Sequence, residues 1–346
     1  MSQVRVSVIA TVFNEITSID RLLAGLAAQT LPPAEVVVVD GGSTDGTLER
    51  LLTVGAKDVS GEGASGGGAS STWPPAIPLR VISAPGANIA AGRNLAIDAS
   101  LEPWIAATDA GVWLEPRWLE RLMAPADTGA AWVAGFFASD PQGAFETALG
   151  AVTLPELRDI DPSVFLPSSR SVAFRRADAL AAGGYPEWLD YCEDLIFDLR
   201  MITQAGRPAF APEAVAHFRP RPSLLAFGRQ YYRYARGDGK ANLWARRHAI
   251  RYVTYLIVVP VLATAALTAG PPGSVLAGLL LAAGLASMVA RPLQRLIGQW
   301  SSLDWPQRLV ATASLPLIRV WGDAAKMLGY PVGWLWRLRF RPPRWQ

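Results

Sequence analysis

Residues 36–47 read VVVVDGGSTDGT, and no other stretch limits the fold so tightly. Four consecutive β-branched residues, Val36 to Val39, predict a strand buried on both faces, because a strand with one wet face would alternate with polar residues. Asp40 ends it, and Gly41, Gly42 and Ser43 turn the chain. Thr44-Asp45-Gly46-Thr47 then offer cap residues to a helix set at 44–52, with Leu48, Leu51 and Leu52 on one face. A carboxylate at the C-terminal tip of a parallel strand, beside glycines, stands where open α/β sheets bind nucleotides. Taken alone, the stretch reads equally as an ordinary strand-turn-helix connection.

The pattern repeats along the first half. Strands are expected at Val4–Thr11, Glu35–Asp40, Leu79–Ser83 and Trp104–Asp109. Between them Ile19, Leu22, Leu23 and Leu26 follow helical spacing behind Ser18 as a cap, and a helix is set at Ile89–Ala99. Another starts at Pro116 and runs through Met123, with proline at its first position as helices prefer. Strands alternating with helices predict a parallel sheet wrapped on both faces. The Gly/Ser-rich run GEGASGGGASSTWPP gives a flexible insertion over 59–76, with no chemistry implied. From Asp140 to Pro167 the pattern loosens; a strand over Ser171–Phe174 and a helix over Glu193–Gln204 follow.

Hydrophobic residues make up 51% of the chain and charged ones only 18%, with a mean hydropathy of +0.21. The excess gathers near the C-terminus. Tyr252–Ala269 and Gly273–Ala290 contain no charge and are separated by Gly270, Pro271 and Pro272. Each is slightly under the ~20 residues that span a bilayer. Arg246, Arg247 and Arg251 precede the pair, and Arg291 and Arg295 follow it, so the positive-inside rule puts both flanks in the cytoplasm and the tip outside. Two buried helices of a soluble core are the alternative. Leu309–Trp336, interrupted by Arg319, Asp323 and Lys326, reads as a third span or a pair of interfacial helices. Trp334, Trp336, Arg337, Arg339, Arg341 and Trp345 form a headgroup anchor by composition. This gives a nucleotide-type domain over 1–220, a basic-aromatic linker over 221–251, a membrane hairpin over 252–290, and further membrane or interfacial helices over 291–346.

Net charge is +3 and the pI about 9.2, yet no basic run resembles a duplex-binding stripe, so no nucleic-acid partner is expected. Only three of the 32 basic residues are lysines (Lys57, Lys240, Lys326); arginine favours phosphate and anionic headgroups, and the bias equally reflects genome composition. The single cysteine, Cys192, excludes an internal disulfide and a cysteine metal cluster, and reads as a packing residue. The opening residues MSQVRVSVIATVFNE show no secretory-signal pattern.

Three further clusters join the opening motif. Thr11-Val12-Phe13-Asn14-Glu15 closes the first strand with polar groups. Gly86 to Asn94 (GANIAAGRN) sets Arg93 and Asn94 in a small-residue loop and helix start, a good place for a diphosphate. Glu193-Asp194 heads a helix after Gly183-Gly184-Tyr185. With Asp109, the C-terminal ends of strands one, two and four all carry carboxylates. A charge at a sheet's rim usually costs stability, so folding alone does not explain the repetition.

The arrangement resembles the inverting glycosyltransferases of family 2, with a GT-A fold. The matching stretches are VSVIATVFNE, VVVVDGGSTDGT, GANIAAGRN, WIAATDAGVWLEPRWLERL and GGYPEWLDYCEDLIFDLR, in the family's order over roughly two thirds of the chain. The trailing hydrophobic hairpin is similar to that of membrane-attached members. The resemblance implies a Rossmann-like nucleotide-diphospho-sugar transferase domain followed by transmembrane or interfacial helices. It implies that Thr11, Glu15, Asp40 and Gly42 line the nucleotide pocket, with Asp40 accepting from the base and Arg93 near the diphosphate. Asp109 matches the first aspartate of the D-x-D signature, and Asp194 the catalytic base, with Glu193 holding the acceptor or tuning Asp194. An inverting transfer needs one carboxylate to take the acceptor's proton and a cation to stabilise the leaving diphosphate.

The chain departs from the signature at Gly111, where the second aspartate belongs. Three readings of a divalent cation (Mg²⁺ or Mn²⁺) stay open: a metal held by Asp109 with His217, a metal-poor site relying on Arg93 and other arginines, or a site that no longer catalyses. Gln230-Tyr231-Tyr232-Arg233-Tyr234 is similar to the Q-x-x-R-W acceptor motif, with tyrosine for tryptophan, which marks Gln230 and Arg233; an amphipathic helix at the membrane surface competes and is compatible. The expected setting is the cell inner membrane, multi-pass, with the catalytic domain cytoplasmic and a lipid-linked or membrane-proximal glycan acceptor. One rival is a silent membrane protein that keeps a nucleotide-sugar-binding fold: Gly111 favours it, and retention of Asp109, Glu193 and Asp194 weighs against it. The other is a soluble enzyme whose apolar tail is a dimer interface.

Overall fold

A computed structural model describes residues 4–60, 73–74 and 76–343. All but the ends of the insertion expected over 59–76, and Trp345 of the headgroup anchor, fall outside the described residues. Met1–Ala138 with Leu157–Phe218 form one compact unit, and Ser139–Glu156 with Arg219–Arg344 another. Residues 139–156, expected within the first domain, therefore group with the C-terminal helices.

The first unit holds one eight-stranded sheet. In chain order it runs β1 (Val6–Val12), α1 (Ile19–Ala27), β2 (Glu35–Asp40), α2 (Thr47–Ser60), β3 (Leu79–Ser83), α3 (Ile89–Ala99), β4 (Trp104–Asp109), β5 (Val112–Leu114), α4 (Trp118–Met123) and β6 (Trp132–Ser139). The second unit contributes α5 (Ala144–Thr153), after which β7 (Val172–Arg175), α6 (Arg176–Ala181), α7 (Glu193–Ala205) and β8 (Ala209–Phe218) complete the sheet. Strand order is β3-β2-β1-β4-β7-β6-β8-β5. The first four strands are parallel, but β7 runs antiparallel to both β4 and β6, and β5 to β8. The all-parallel expectation is thus corrected to a mixed sheet: a buried apolar run reads the same in either direction, and only its connections fix its sense.

The Val36–Val39 run does what its composition requires. Val36 and Val38 join Val8, Ala10 and Val12 against Ile19, Leu22 and Leu26 of α1 on one face. Val37 and Val39 join Ile9 against Ala90, Ala96 and Ile97 of α3 on the other. Burying each such side chain stabilises by about 1.5–3 kcal/mol. Two local expectations are corrected. Ser18 is the N-cap residue of α1 but its side chain caps nothing; its hydroxyl donates to Glu15 instead. The second helix begins at Thr47 rather than Thr44, because Asp45 Oδ1 accepts from the Thr47 N–H at 3.1 Å.

The second unit continues with α8 (Leu224–Ala241), α9 (Ala245–Val253), a π-turn over Thr254–Val258, α10 (Val259–Thr268), α11 (Pro271–Gly298) and α12 (Trp305–Phe340). The π-turn lies just ahead of Pro260, whose missing N–H disrupts regular α-helical bonding there. Ala245–Thr268 and Pro271–Gly298 are long and apolar enough to cross a membrane, and 0% and 6% of their apolar windows are buried within the protein. Core helices of a soluble protein would be buried. Leu309–Trp336 lies inside one helix, α12, rather than a pair.

Gly329 and Gly333 let α12 lie against α8. A Cβ on Gly329 would fall 2.2 Å from the Tyr232 carbonyl oxygen, one on Gly333 2.0 Å from that of Arg236, and one on Gly239 of α8 2.2 Å from that of Tyr330. This is the small-x-x-x-small spacing that brings helix backbones together. Gly329→Val is expected to destabilise the protein by about 3 kcal/mol or more, since the obstruction is backbone and cannot rotate away. Thermal unfolding in detergent reads this, and an unchanged midpoint would show that the helices part freely.

Candidate active site

The tips of β1 and β2 are tied together by side chains from the loops that follow them. Asn14, at φ 56°, accepts from the Thr44 N–H at 2.9 Å, and its own N–H donates to Ser43 Oγ at 2.8 Å. The Glu15 N–H donates to Thr47 Oγ1 at 2.9 Å, and the Ile16 N–H to Asp45 Oδ2 at 3.1 Å. Asp40 divides its labour. Oδ1 accepts the Gly42 and Ser43 N–H groups, both at 2.9 Å, and so holds the turn. Oδ2 is buried with no hydrogen-bond partner among the described residues. An acceptor left this way costs about 1–3 kcal/mol, which a bound donor would offset. Gly42 sits at φ 98°, and a Cβ there would meet Pro85 Cα at 3.1 Å, so both conformation and space ask for glycine. Register sets Asp40 beside Val12, and Thr11 beside Asp109, so β2, β1 and β4 end on one rim of the sheet.

Helix α3 organises the next layer. Asn88 caps it by accepting the Ala91 N–H at 2.9 Å, and Gly92 leaves room for Thr11, whose Cγ2 would lie 2.8 Å from a Cβ there. Arg93, 2% exposed, donates from Nη1 to Glu193 Oε1 at 2.7 Å and from Nη2 to Asp109 Oδ1 at 2.8 Å. Its guanidinium carbon lies 5.1 Å from the centroid of the Tyr185 ring. Arg93 therefore bridges the end of β4 to the start of α7, which are joined only through a long stretch of chain. Asn94 fixes the same neighbourhood: Oδ1 accepts the Tyr185 N–H at 2.8 Å, and Nδ2 donates to the Tyr185 carbonyl at 2.9 Å. Gly184, at φ 61°, makes room for this contact.

The carboxylates around Arg93 differ in their environments. Burial pushes Asp109 up, but Arg93 and Arg170, whose Nε is 3.5 Å from Asp109 Oδ2, outweigh it and hold its carboxyl below the usual range. Glu193 is raised to about 7, by burial first and then by the adjacent Asp194 charge, against the pull of Arg93. Asp198, one turn behind Asp194 on α7, is raised well above its ordinary value by burial and by Asp194, and its Oδ2 has no hydrogen-bond partner among the described residues. Asp194 itself is part-exposed in the first turn of α7, where the helix dipole favours a negative charge, and its Oδ1 accepts the Leu195 N–H at 2.9 Å. Cys192 precedes this turn at φ 65°, a conformation costing about 1–3 kcal/mol for a residue with a side chain.

His217 lies on β8, paired with Trp113 of β5. Its ring stacks on Trp113 at 3.9 Å, and Nε2 meets Glu115 Oε1 at 2.9 Å. Both Asp109 oxygens face guanidinium groups, and no group of three or more His, Cys, Asp or Glu among the described residues is placed to share a metal ion. The side chains present do not make a metal site of their own. Nothing fills the place of the signature's second aspartate: a Cβ on Gly111 meets no atom within 4 Å. Gly111→Asp is expected to leave the fold intact, within about 0.5 kcal/mol, and to add stabilisation by millimolar Mn²⁺ that the wild type lacks without donor. Thermal shift with and without Mn²⁺ reads both.

Gln230 and Arg233 lie on α8 of the second unit. Gln230 Nε2 donates to Tyr234 OH at 2.7 Å, and its Oε1 accepts from Arg221 at 3.3 Å. Arg170, Tyr185 and Asp198 were not singled out from the sequence. The i, i+4 spacing from Asp194 would have disclosed Asp198; nothing near Arg170 marks it.

The family described as "Glycosyl transferase family 2" matches residues 7–72. The match takes in β1 and β2, with Thr11, Glu15 and Asp40. The fold agrees: the mannosyltransferase PcManGT from Pyrobaculum calidifontis, solved with GDP-Man and Mn²⁺, is similar with a TM-score of 0.58 at 20% identity, covering 94% of this chain and 88% of that one. S. aureus TarS matches with a TM-score of 0.46 at 16% identity over 96% of this chain, which spans only 55% of TarS. TarS 1–349 in complex with UDP matches at 0.47 and 18% identity, over 98% and 92% of the two chains. No curated protein matches. The first unit thus has a GT-A-like fold, and helices follow of which two are long and apolar.

Proposed function

We propose that the glycosyltransferase moves a sugar, with inversion, from a nucleotide-diphosphate donor to an acceptor at the cytoplasmic face of a membrane. The reading rests on Arg93, which locks Asp109 at the tip of β4 to Glu193 at the head of α7. That contact, and the action of the Asp194 charge on Arg93, support placing Asp194 at the rim that ends in Asp40 and Asp109. In this scheme Asp40 Oδ2 accepts an N–H of the base, while Thr11, Glu15 and Gly42 line the nucleotide. Asp109, with Arg93 and Arg170 behind it, faces the donor's ribose and diphosphate. Asp194 takes the proton from the acceptor hydroxyl as its oxygen attacks the anomeric carbon, and the nucleotide diphosphate departs on the opposite face.

A divalent cation is what the resemblance implies, and the Pyrobaculum enzyme was solved with Mn²⁺. Among the described residues the protein's own donors fall short of a metal site; Asp109 and His217 are the residues to vary when Mn²⁺ dependence is measured. Gln230 and Arg233 are proposed for the acceptor side. The arginines flanking the apolar pair support an inner-membrane setting with the catalytic unit cytoplasmic, and acceptors of lipid-linked, polysaccharide or glycolipid type.

The test is turnover of a panel of nucleotide sugars, GDP-mannose included, with proton NMR following the anomeric configuration of the transferred or released sugar. Inversion with any donor supports the reading. Retention, or no donor bound or turned over with Mn²⁺ present, overturns it.

A further inference from the structure

The helical unit holds a charged cluster that sugar transfer does not use. On α12, Arg319, Asp323 and Lys326 follow i, i+4, i+7 spacing and share one face. Asp323 is already satisfied: Oδ1 accepts from Arg251 Nε at 2.7 Å and Oδ2 from Tyr255 OH at 3.1 Å. Arg251 also reaches His248 Nδ1 at 3.1 Å, and His248 Nε2 meets Asp238 Oδ2 at 3.2 Å. Both carboxylates of the cluster are therefore engaged by groups other than Arg319 and Lys326.

Those two cations are left over. Lys326 Nζ lies 4.5 Å from the centroid of the Tyr231 ring and has no ion-pair partner among the described residues. Arg319 has neither a hydrogen bond nor an ion pair among the described residues, and its Nε is buried. Arg251 and Arg319 act on Lys326 as like charges while Asp323 and Asp238 pull the other way, which sets three cations against two carboxylates. A buried N–H without an acceptor costs about 1–3 kcal/mol, and neighbouring like charges add to it; an anion would offset both.

The surroundings say what kind of anion. Arg251 and Tyr255 stand where the helix Ala245–Thr268 loses its charges, and Leu256, Ile257 and Val258, exposed by 64%, 56% and 43%, follow at once. An anion at this level has arginine and lysine on one side and bare hydrocarbon on the other. A phosphate carrying an acyl or prenyl chain matches both. We propose that Arg319 and Lys326, set against Tyr231 and the Arg251–Asp323 pair, bind the phosphate headgroup of a membrane lipid. The proposal rests on reading the apolar pair as a membrane hairpin, and does not depend on the donor or on Asp194.

The experiment uses the full chain in neutral detergent, with dioctanoyl phosphatidic acid as probe and dioctanoyl phosphatidylcholine and inorganic phosphate as comparators, read by thermal shift and native mass spectrometry. Phosphatidic acid is expected to bind and raise the melting temperature where the other two do not. The double variant Arg319→Gln, Lys326→Gln should lose at least tenfold in affinity, Arg319→Lys should stay within about threefold, and Arg229→Gln, at an exposed position of α8, should match the wild type. Ligand-free, the double variant should melt within a few degrees of the wild type, since neither side chain makes a hydrogen bond or ion pair among the described residues. Unchanged affinity in the double variant, or an equal response to phosphatidylcholine, overturns the proposal. An equal response to inorganic phosphate overturns the lipid as its source. Carbonate washing of membranes reads the hairpin separately: retention of both proteins assigns a lost affinity to the cluster, and release of the wild type removes the lipid and overturns the proposal.

Discussion

Asp194→Asn is expected to lower turnover by about a thousandfold while leaving donor affinity and thermal stability near those of the wild type. Asparagine keeps the shape of the side chain and its acceptor for the Leu195 N–H, which Asp194 Oδ1 takes at 2.9 Å. It cannot take a proton, and a positioned general base contributes about 10²–10⁴-fold. The neighbouring Glu193 is a poorer candidate for the base. It is 6% exposed and bound to Arg93 at 2.7 Å, so it serves as an anchor, whereas Asp194 is part-exposed at the head of α7. Steady-state turnover at saturating donor and acceptor decides the matter, with Asp127→Asn on an exposed surface as comparator. A variant that keeps wild-type turnover at Asp194 would remove it from the chemistry and leave the acceptor's proton without a taker.

Much of the sheet was legible because its signals are local. β2, β3, β4 and α3 fall on their expected bounds: each is an apolar run or period closed by glycine, proline or a cap such as Asn88, all within a few residues. What depends on distant partners was not. β6 escaped notice, as did the antiparallel sense of β7, whose strand was expected at Ser171–Phe174, since neither Trp132 to Ser139 nor β7 carries a mark of the strand beside it. The docking of α12 on α8 rests on Gly329 and Gly333, whose spacing gains meaning only against the Tyr232 and Arg236 carbonyls. Residues 144–153 read as loose pattern yet form α5, because Gly143 and Ala144 give weak start signals. At the site, the identity of the charged residues could be read but not their pairing. Arg93 stood out as a cation for a diphosphate; the structure shows both of its Nη atoms already on carboxylates, one of them a hundred positions away at Glu193.

Arg93→Leu should therefore be the most damaging single change in the first unit, at about 3–5 kcal/mol of stability, with turnover lost as well. Leucine fits the buried stem of α3 but withdraws the only positive charge placed between Asp109 and Glu193 at hydrogen-bond distance among the described residues. Removing one partner of a buried ion pair leaves an uncompensated charge, here Glu193, and leaves Asp109 with Arg170 alone. Arg93→Lys is expected to recover only part of the loss, because an ammonium cannot fork to Glu193 Oε1 and Asp109 Oδ1 together. The sign of the pH dependence separates this account from simple packing damage. Glu193 already stands near 7 with Arg93 present, and loss of the guanidinium removes the main force lowering both carboxyls. Both then fold more easily as neutral acids, so the gap in stability between wild type and Arg93→Leu should narrow as pH falls from about 8 to 5. Denaturant unfolding at several pH values measures it. A gap of constant size would mean that Arg93 fills space at this rim, and that Asp109 and Glu193 are held by something other than its charge.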